Sequence, residues 1–287
     1  MKHKTYSDQH THTYYSDGTF SPAELIAAAQ KRKLGAVVLC DHNTVAGLPE
    51  FLEAARGSRV EAVPGVEFST DYGDRELHIL GLLIRPEDYA AVTELLEDGK
   101  RRKEQSNIDL VDALNRAGYR LDYGQIRGKT PGGQVNRAHI AAALTEAGYT
   151  ESVKDAFRTL LAPSRGYYTP PKRPDALETV AFIAELGSVP VLAHPFLNLK
   201  QEGALREFLS RAKPRGLVGM ETMYPLFEEE QTRLAGAIAE EFGLLPSGGS
   251  DFHGGNKPDI ALGTGKGNLA VPISCLESLK SRITNKR

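Results

Sequence analysis

Histidines and acidic residues recur in this sequence where short apolar runs end. His10 and His12 stand two positions apart near the start of the chain, and Asp251 and His253 repeat this spacing near its end. In a β-strand, residues two positions apart point to the same face, so each pair could direct two side chains at one ion. The carboxylate of Asp17 follows the first pair within a few residues. These residue types at this spacing are typical of metal ligands.

Four more residues of this kind accompany the intervening apolar runs. His42 and Glu67 each follow such a run, His78 lies inside another, and His194 ends a fourth. A buried carboxylate costs free energy unless it is paired or coordinated. Six histidines and three carboxylates therefore share this placement: His10, His12, His42, His78, His194, His253, Asp17, Glu67 and Asp251. We predict a polynuclear metal site, and nitrogen and oxygen ligands without sulfur suit Mn, Fe or Zn.

Seven short β-type runs, several of them separated by helical stretches, must position these side chains. The runs are residues 4–9, 36–40, 60–66, 77–84, 189–193, 216–220 and 244–250. Ser21 and Glu24 form a capping box that begins one helix, and further helices are predicted at 175–186, 202–212 and 228–242. This alternation predicts a parallel sheet with helical cover. Polar residues at the strand ends favour a barrel, because the active sites of such barrels lie there.

Residues 94–168 break the alternation. Helices are predicted around 95–114, 139–147 and 151–161 without strands between them, and the loop 123–137 contains four glycines. Between Lys100 and Arg137 there are nine Lys or Arg against four Asp or Glu. Such a basic, glycine-rich loop suits phosphate oxygens, although the run 100–103 is also typical of a solvated helix face. We predict a helical insertion at 99–167 over the barrel mouth, between barrel segments 1–98 and 168–287.

The composition excludes several classes of protein. The 287 residues carry a formal charge of −2, which argues against nucleic-acid binding by the surface as a whole. The two cysteines, Cys40 and Cys275, lie far apart, so a disulfide scaffold and a thiolate zinc site are excluded. No apolar run approaches the ~20 residues that a membrane span requires. No signal peptide is visible, so we expect a cytoplasmic protein that does not enter a membrane.

These motifs, in this order, resemble the four-part motif of the PHP (polymerase and histidinol phosphatase) family. The matching segments are His10-Thr-His12, Ser16-Asp17-Gly18, Asp41-His42, Gly65-Val-Glu67, Leu77-His78, Ala193-His194-Pro195 and Gly249-Ser-Asp251-Phe-His253. The resemblance spans residues 6 to about 265. It implies an α/β fold, a distorted (β/α)7 barrel with the small helical domain inserted.

The resemblance also implies two or three divalent or trivalent metal ions as cofactors. It assigns the nine side chains to three ions, in the sets His10, His12, Glu67 and Asp251; Glu67, His78 and His194; and Asp17, His42 and His253. Glu67 would bridge the first two ions.

The insertion resembles one branch of the family, which acts on nucleoside 3′,5′-bisphosphates and has relatives that trim short RNA from the 5′ end. The residues that carry this likeness are Arg101, Arg102, Arg137 and His139, and Ala138 stands where the branch has proline. The likeness implies that these four side chains contact a small phosphorylated substrate, either a nucleotide or short single-stranded RNA or DNA. His139 is also placed to cap the N-terminus of a helix.

We therefore predict a metal-dependent phosphoric ester hydrolase that removes the 3′-phosphate of nucleoside 3′,5′-bisphosphates. Short 5′-phosphorylated oligonucleotides are further expected substrates. The catalytic residues are expected to be Asp17, His253 and His194, with Asp17 or His253 near the leaving oxygen. Arg137 and the basic loop would hold the second phosphate.

Three other functions fit parts of the sequence. A histidinol-phosphate phosphatase could use the same barrel and the same basic insertion. An amidohydrolase also opens with two histidines on a barrel strand, but it commonly bridges its metals with a lysine, whereas Glu67 is the bridging group available here. A non-catalytic metal-binding accessory module, such as one of a polymerase, would be expected to have lost ligands, and here every ligand position is filled.

Overall fold

A computed structural model describes residues 5–130 and 135–283 of the chain. The chain divides into two compact units, which we call the barrel unit and the helical unit. The barrel unit comprises Met1–Thr93 and Pro174–Arg287, and the helical unit comprises Glu94–Arg173. No helix in the two described ranges is long and apolar enough to cross a membrane.

The barrel unit is built around one sheet of eight strands. The strands are β1 (Tyr6–Thr11), β2 (Ala36–Leu39), β3 (Glu61–Tyr72), β4 (Arg75–Leu82), β5 (Val189–Leu192), β6 (Gly219–Met223), β7 (Leu245–Gly248) and β8 (Val271–Pro272). Their order in the sheet is β7-β6-β5-β4-β3-β2-β1-β8. The segment after β7 returns to β1, because Asp251 N donates to His10 O and His12 N donates to Phe252 O, both at 2.9 Å. These bonds nearly close the sheet into a barrel.

The predicted α/β barrel is confirmed, but its strand count and its parallel pairing were partly wrong. β4 runs antiparallel to both β3 and β5, and β8 runs antiparallel to β1. Only Gly73 and Asp74 separate β3 from β4. A connection of two residues can form only a hairpin, since parallel neighbours need a crossover of about a dozen residues or more. β8 has two residues, too few to show a strand pattern in the sequence.

Within residues 5–130 and 135–283, eleven α-helices surround the sheet or form the helical unit. They are α1 (Pro22–Lys31), α2 (Leu48–Ala54), α3 (Tyr89–Arg116), α4 (Tyr123–Gly128), α5 (Arg137–Glu146), α6 (Val153–Thr159), α7 (Ala176–Glu185), α8 (Pro195–Asn198), α9 (Glu202–Ala212), α10 (Glu229–Glu241) and α11 (Ile273–Lys280). The predicted capping box of α1 is present, with Pro22 as the first helical residue. Short 3-10 helices lie at Pro86–Asp88, Pro163–Arg165, Lys213–Arg215 and Gly254–Asn256.

Alternate strand residues form the core of the barrel unit. Val38, Val63, Leu80 and Val191 come from four neighbouring strands and pack in one buried cluster with Leu276 of α11. Burial of these branched side chains stabilises the barrel by about 1.5–3 kcal/mol for each residue. Polar side chains lie instead at the carboxyl ends of the parallel strands, where the active sites of such barrels are found.

The helical unit has an apolar core of its own. Its fully buried members include Leu110, Leu114, Ile140 and Leu144. The segment 123–137 was predicted as a loop, but it contains helix α4. Asp122 caps the start of this helix, because its side chain accepts a hydrogen bond from Gln125 N at 3.1 Å. Residues 131–134 of that predicted loop, like Lys4 of the first predicted strand, lie outside the described residues.

Candidate metal centre

The structure brings the nine predicted ligands together at one end of the barrel. Their positions in the fold are His10 in β1, His12 and Asp17 after it, His42 after β2, Glu67 in β3, His78 in β4, His194 after β5, and Asp251 and His253 after β7. All except Asp17, His42 and His78 are buried. Glu67 differs from the expectation, because β3 continues to Tyr72 and places this carboxylate inside a strand rather than at its end.

The carboxylate of Glu67 lies at the centre of the cluster. Its Oε2 is 3.1 Å from His10 Nε2, 3.3 Å from His12 Nε2 and 3.1 Å from His42 Nδ1. Its Oε1 is 2.7 Å from His78 Nδ1 and 3.1 Å from His194 Nε2. One carboxylate thus contacts five imidazoles, which come from four different parts of the chain.

Two further carboxylates extend the cluster on either side of His12. Asp251 Oδ1 lies 3.2 Å from His12 Nε2 and 3.8 Å from His10 Nε2. Asp17 Oδ1 lies 3.1 Å from His253 Nε2 and 3.9 Å from His12 Nδ1. Four overlapping sets therefore have ligand atoms within 4.8 Å of one another: His10, Glu67 and His194; His10, His12 and Asp251; His42, Glu67 and His78; and His12, Asp17, His42 and His253.

Several of these atoms are buried and lack a hydrogen bond. They are His10 Nε2, His12 Nδ1, His12 Nε2, His42 Nδ1, Glu67 Oε2 and His194 Nδ1. Buried polar atoms without partners are rare and destabilising, yet here six lie in one cluster, close together but not aligned for hydrogen bonding. Imidazole nitrogens and carboxylate oxygens are suitable ligands for Mn, Fe or Zn. The cluster therefore fits metal ions on its own geometry.

The charges of the cluster act against the effect of burial. Burial disfavours the charged forms of His10 and His78, but the carboxylate of Glu67 outweighs it, so the pKa of His10 lies well above its usual range and that of His78 rises to about 10. Burial would raise the pKa of Glu67, but His42, His10 and His78 hold it well below its usual range. For His42 burial prevails and lowers the pKa to about 3. Glu67 is thus ionised at neutral pH, as a metal ligand must be.

Glu221 supports two of the histidines. This residue of β6 is fully buried; its Oε1 lies 3.1 Å from His10 Nδ1, and its Oε2 accepts the backbone N–H of His194 at 2.7 Å. The sequence motif does not include Glu221, although it follows an apolar run as the ligands do. His194 itself has a left-handed backbone, with φ of 25°, so this hydrogen bond helps to hold a strained residue.

Two aspartates outside the predicted ligand set hold the loops of the cluster. Asp8 is fully buried and accepts hydrogen bonds from Ser250 N at 2.8 Å, Ser250 Oγ at 2.5 Å and Gly263 N at 2.7 Å. Asp41 accepts hydrogen bonds from Thr13 N at 2.7 Å and Ser16 Oγ at 2.7 Å. Asp41 belongs to the motif segment Asp41-His42, whereas the sequence signal for Asp8 is only its place two residues before His10.

Gly249 allows the segment after β7 to approach β1. A Cβ atom at this position would lie 2.4 Å from both the backbone nitrogen and the Cβ of His10. Any side chain would therefore push apart the two segments that carry His10 and Asp251. This explains the glycines that precede Asp251 in the sequence.

The four predicted substrate contacts belong to the helical unit. The guanidinium of Arg137 lies 4.4 Å from the ring centre of Tyr168. His139 takes part in the capping box of α5, where its Nδ1 accepts the backbone N–H of Asn136 at 3.1 Å. Arg101 and Arg102 are exposed on α3, and both form ion pairs with Asp98. Arg137 and His139 thus lie together at the start of α5. Arg101 and Arg102 have the exposure and ion pairing of a solvated helix face.

Comparison with known proteins gives the same family as the motifs. The PHP domain profile matches residues 8–167. The chain is 32% identical to the 5′-3′ exoribonuclease Rnm of Escherichia coli, over 86% of this chain and 84% of that protein. It is 31% identical to a 5′-3′ exoribonuclease of Haemophilus influenzae, over 86% and 89%. It is 28% identical to a 3′,5′-nucleoside bisphosphate phosphatase of Chromobacterium violaceum, over 86% of each.

Solved structures share the fold over nearly the whole chain. A metal-dependent phosphoesterase of Bifidobacterium adolescentis has a TM-score of 0.82 at 27% identity and covers 98% of this chain and 97% of its own. A Chromobacterium violaceum structure described as an amidohydrolase, with bound sulfate and no metal, has a TM-score of 0.81 at 26% identity, with 97% of each chain covered. The resemblance read from the motifs is confirmed: the chain belongs to the PHP family and is a metal-dependent phosphoesterase.

Proposed function

We propose that this protein hydrolyses the phosphoester on the 3′-oxygen of nucleosides that carry a 5′-phosphate. The first substrate is a nucleoside 3′,5′-bisphosphate, from which the 3′-phosphate is released. The second is a short 5′-phosphorylated oligonucleotide, in which the corresponding bond joins the first two nucleotides. The observation that carries the proposal is the Glu67-centred cluster, with its six buried and unpartnered ligand atoms. The names of the exoribonuclease and bisphosphate phosphatase relatives support this choice of substrate.

The proposed ligands of two or three metal ions are the nine cluster residues. The sets that the family resemblance implies are His10, His12, Glu67 and Asp251; Glu67, His78 and His194; and Asp17, His42 and His253. Bound there, such ions supply Lewis-acid chemistry, which makes water a stronger nucleophile at neutral pH and offsets the negative charge of a phosphate. Glu67 touches residues of all three sets, so its carboxylate positions the whole cluster.

Asp17 and His253 are the proposed groups for proton transfer to the leaving oxygen. The side chain of Asp17 is 42% exposed, whereas that of His253 is almost fully buried. His253 Nδ1 lies 2.8 Å from the backbone carbonyl of Asp251 and must donate to it, because a carbonyl only accepts. His253 Nε2, 3.1 Å from Asp17 Oδ1, therefore carries no proton in the neutral ring, so His253 can pass a proton to the leaving oxygen only when Nε2 is protonated and not bound to an ion. His194 completes the proposed catalytic set through its contact with Glu67.

Arg137 and His139 are the proposed contacts of the second phosphate. Stacking on Tyr168 fixes the plane of the Arg137 guanidinium and leaves its N–H edges able to bind phosphate oxygens in pairs. Arg101 and Arg102 are proposed as weaker contacts, since both already pair with Asp98. A bisphosphate would use these groups, and a simple aryl phosphate would not.

The test is phosphate release from adenosine 3′,5′-bisphosphate and from histidinol phosphate by the same Mn-reconstituted protein. We expect a strong preference for the bisphosphate and loss of the activity in Glu67→Gln, but not in Glu240→Gln, which changes an exposed residue of α10. Preference for histidinol phosphate would instead assign the protein to the histidinol-phosphate phosphatases. Metal binding without release from either substrate would support a non-catalytic module.

A further inference from the structure

A cleft of about 320 Å³ lies beside Asp251 in the barrel unit. Its lining includes Pro225, Leu226, Lys257, Pro258, Ile260 and Lys266. Leu226 is 47% exposed, so its side chain is accessible to a ligand in the cleft. The volume is at the lower end of the range for ligand sites, so the cleft suits one small organic group.

Lys257 stands where the cleft meets the metal-ligand cluster. Asp251 directs Oδ1 toward His12, and its Oδ2 accepts hydrogen bonds from Tyr224 Oη and Lys257 Nζ, each at 2.7 Å. The side chain of Lys257 is 40% exposed. An ammonium has three donors, so Lys257 can contact Asp251 and an incoming anion together.

The loop that carries Lys257 is fixed to the cluster by its neighbours. Asn256 Nδ2 donates to the backbone carbonyl of Asp17 at 2.8 Å, and Gly255 N donates to Thr19 Oγ1 at 2.8 Å. The loop that carries Lys257 is therefore held beside Asp17 and Thr19, and the Lys257 ammonium itself contacts Asp251. A cation in this place favours a phosphate group located at the cluster.

We propose that this cleft binds the nucleoside attached to the far side of the phosphate under attack, and that Lys257 contacts an oxygen of that phosphate. This assignment rests on the proposed function. It names the second nucleotide of a 5′-phosphorylated oligonucleotide as the occupant of the cleft. A bisphosphate has no group at this position and leaves the cleft empty.

The character of the lining favours a nucleoside over a terminal phosphate. Leu226, Pro225 and Pro258 offer apolar surface on which a planar base can pack. The two carboxylates of the lining, Asp251 and Asp259, balance its two ammonium groups, Lys257 and Lys266, so the cleft has no net positive charge to hold a free phosphate dianion. A base needs no such charge to pack on the apolar part of the lining.

Leu226→Gln tests the cleft with two substrates. For the 5′-phosphorylated dinucleotide pApA we expect KM to rise about tenfold, because the base loses an apolar contact. For adenosine 3′,5′-bisphosphate we expect kcat and KM to stay within about twofold of the wild-type values. Ile283→Gln, which changes a side chain 39% exposed and outside the cleft, is the matched control. Equal effects on both substrates, or no effect on pApA, would overturn the assignment.

Lys257→Gln tests the contact with the phosphate. We expect kcat/KM to fall about tenfold or more for both substrates at unchanged metal content, with partial recovery in Lys257→Arg. Lys280→Gln is the control, since it removes a similar ion pair, with Glu61, at the start of β3. If the activity of Lys257→Gln falls only in proportion to its loss of bound metal, Lys257 merely holds Asp251 in place.

Wild-type protein that hydrolyses neither substrate would overturn the proposed function and this inference together. Active wild-type protein without the Leu226 effect would overturn only the inference.

Discussion

Glu221 Oε1 lies 3.1 Å from His10 Nδ1, and the same carboxylate accepts the backbone N–H of His194 at 2.7 Å. A carboxylate accepts but does not donate, so His10 carries a proton on Nδ1 and directs Nε2 toward Glu67 and Asp251. One buried side chain of β6 thus orients a residue of β1 and a residue that follows β5. Partners of this kind set the tautomer and the direction of a metal-binding histidine.

Replacing Glu221 with glutamine should weaken metal binding without unfolding the protein. The amide can still accept from His194, but its NH2 group opposes the proton on His10 Nδ1, so the ring loses its orientation. We expect metal affinity, measured by competition with a chelator, to fall about 10- to 100-fold. Glu240→Gln, on the exposed face of α10, should leave the affinity unchanged. Equal affinities in wild type and Glu221→Gln would refute the orienting role.

Asp8→Ala should destabilise the barrel unit. Ser250 N, Ser250 Oγ and Gly263 N would lose the carboxylate that they share, and both of these residues are buried. A buried donor left without a partner costs about 1–3 kcal/mol, so we expect a loss of roughly 3 kcal/mol or more. Urea unfolding of the metal-free protein would measure it. Asp74→Ala, at a side chain 95% exposed, should change little, and a similar small effect of Asp8→Ala would contradict the assigned contacts.

The metal-ligand cluster could be predicted because its signals are local. His10 and His12, like Asp251 and His253, stand two positions apart at the end of a predicted strand. Glu221 also follows an apolar run, but neither residue two positions away, Gly219 or Met223, is a histidine or an acidic residue. The role of Glu221 depends on its contacts with His10 of β1 and with the backbone of His194, which lie 211 and 27 residues away in the sequence. No local pattern encodes such contacts.

Two errors in the fold have identifiable causes. The residues after Glu67 alternate between buried and half-buried as far as Tyr72, which is a strand pattern, and the turn at Gly73 and Asp74 is a hairpin signal. The sequence contained both the strand pattern and the turn signal, but the prediction of a parallel sheet did not take them into account. Helix α4 was hidden for another reason: two glycines favour a loop, whereas burial of Ile126 in the core of the helical unit stabilises the helix.

Arg137→Ala should distinguish substrates with one phosphate from substrates with two. Because the stacked guanidinium is proposed to bind the second phosphate, KM for adenosine 3′,5′-bisphosphate should rise about tenfold or more, as expected for loss of a charge-assisted contact. KM for an aryl phosphate should stay nearly constant. Arg158→Ala removes an exposed arginine of the same unit, paired with Asp155, and serves as the control. Equal shifts in KM for both substrates would exclude the proposed role.

His139 should titrate below its ordinary range. Burial and the nearby positive charge of Lys103 lower its pKa. The folded state therefore binds fewer protons than the unfolded state, so the contribution of His139 to stability is complete above its unfolded pKa and declines as pH falls toward the folded value. An NMR titration of the ring in the metal-loaded protein would measure the folded pKa, and His139→Gln would assign the signal. A midpoint at or above the ordinary value would contradict the capping contact with Asn136.

Removal of metal should lower the stability of the folded protein as well as its activity. The six unpartnered atoms of the cluster lie on β1, β3 and the segments after β1, β2 and β5, so bound ions would link distant parts of the barrel. Ions at 100 times their Kd stabilise the folded state by about 2.7 kcal/mol per site, which corresponds to a rise in Tm of roughly 5 °C. Differential scanning fluorimetry of chelator-treated protein, with and without added Mn, would show this rise. Glu67→Gln should respond much less, because it loses the carboxylate that contacts five histidines. A wild-type Tm that does not change with Mn would contradict the assignment of the cluster as a metal centre.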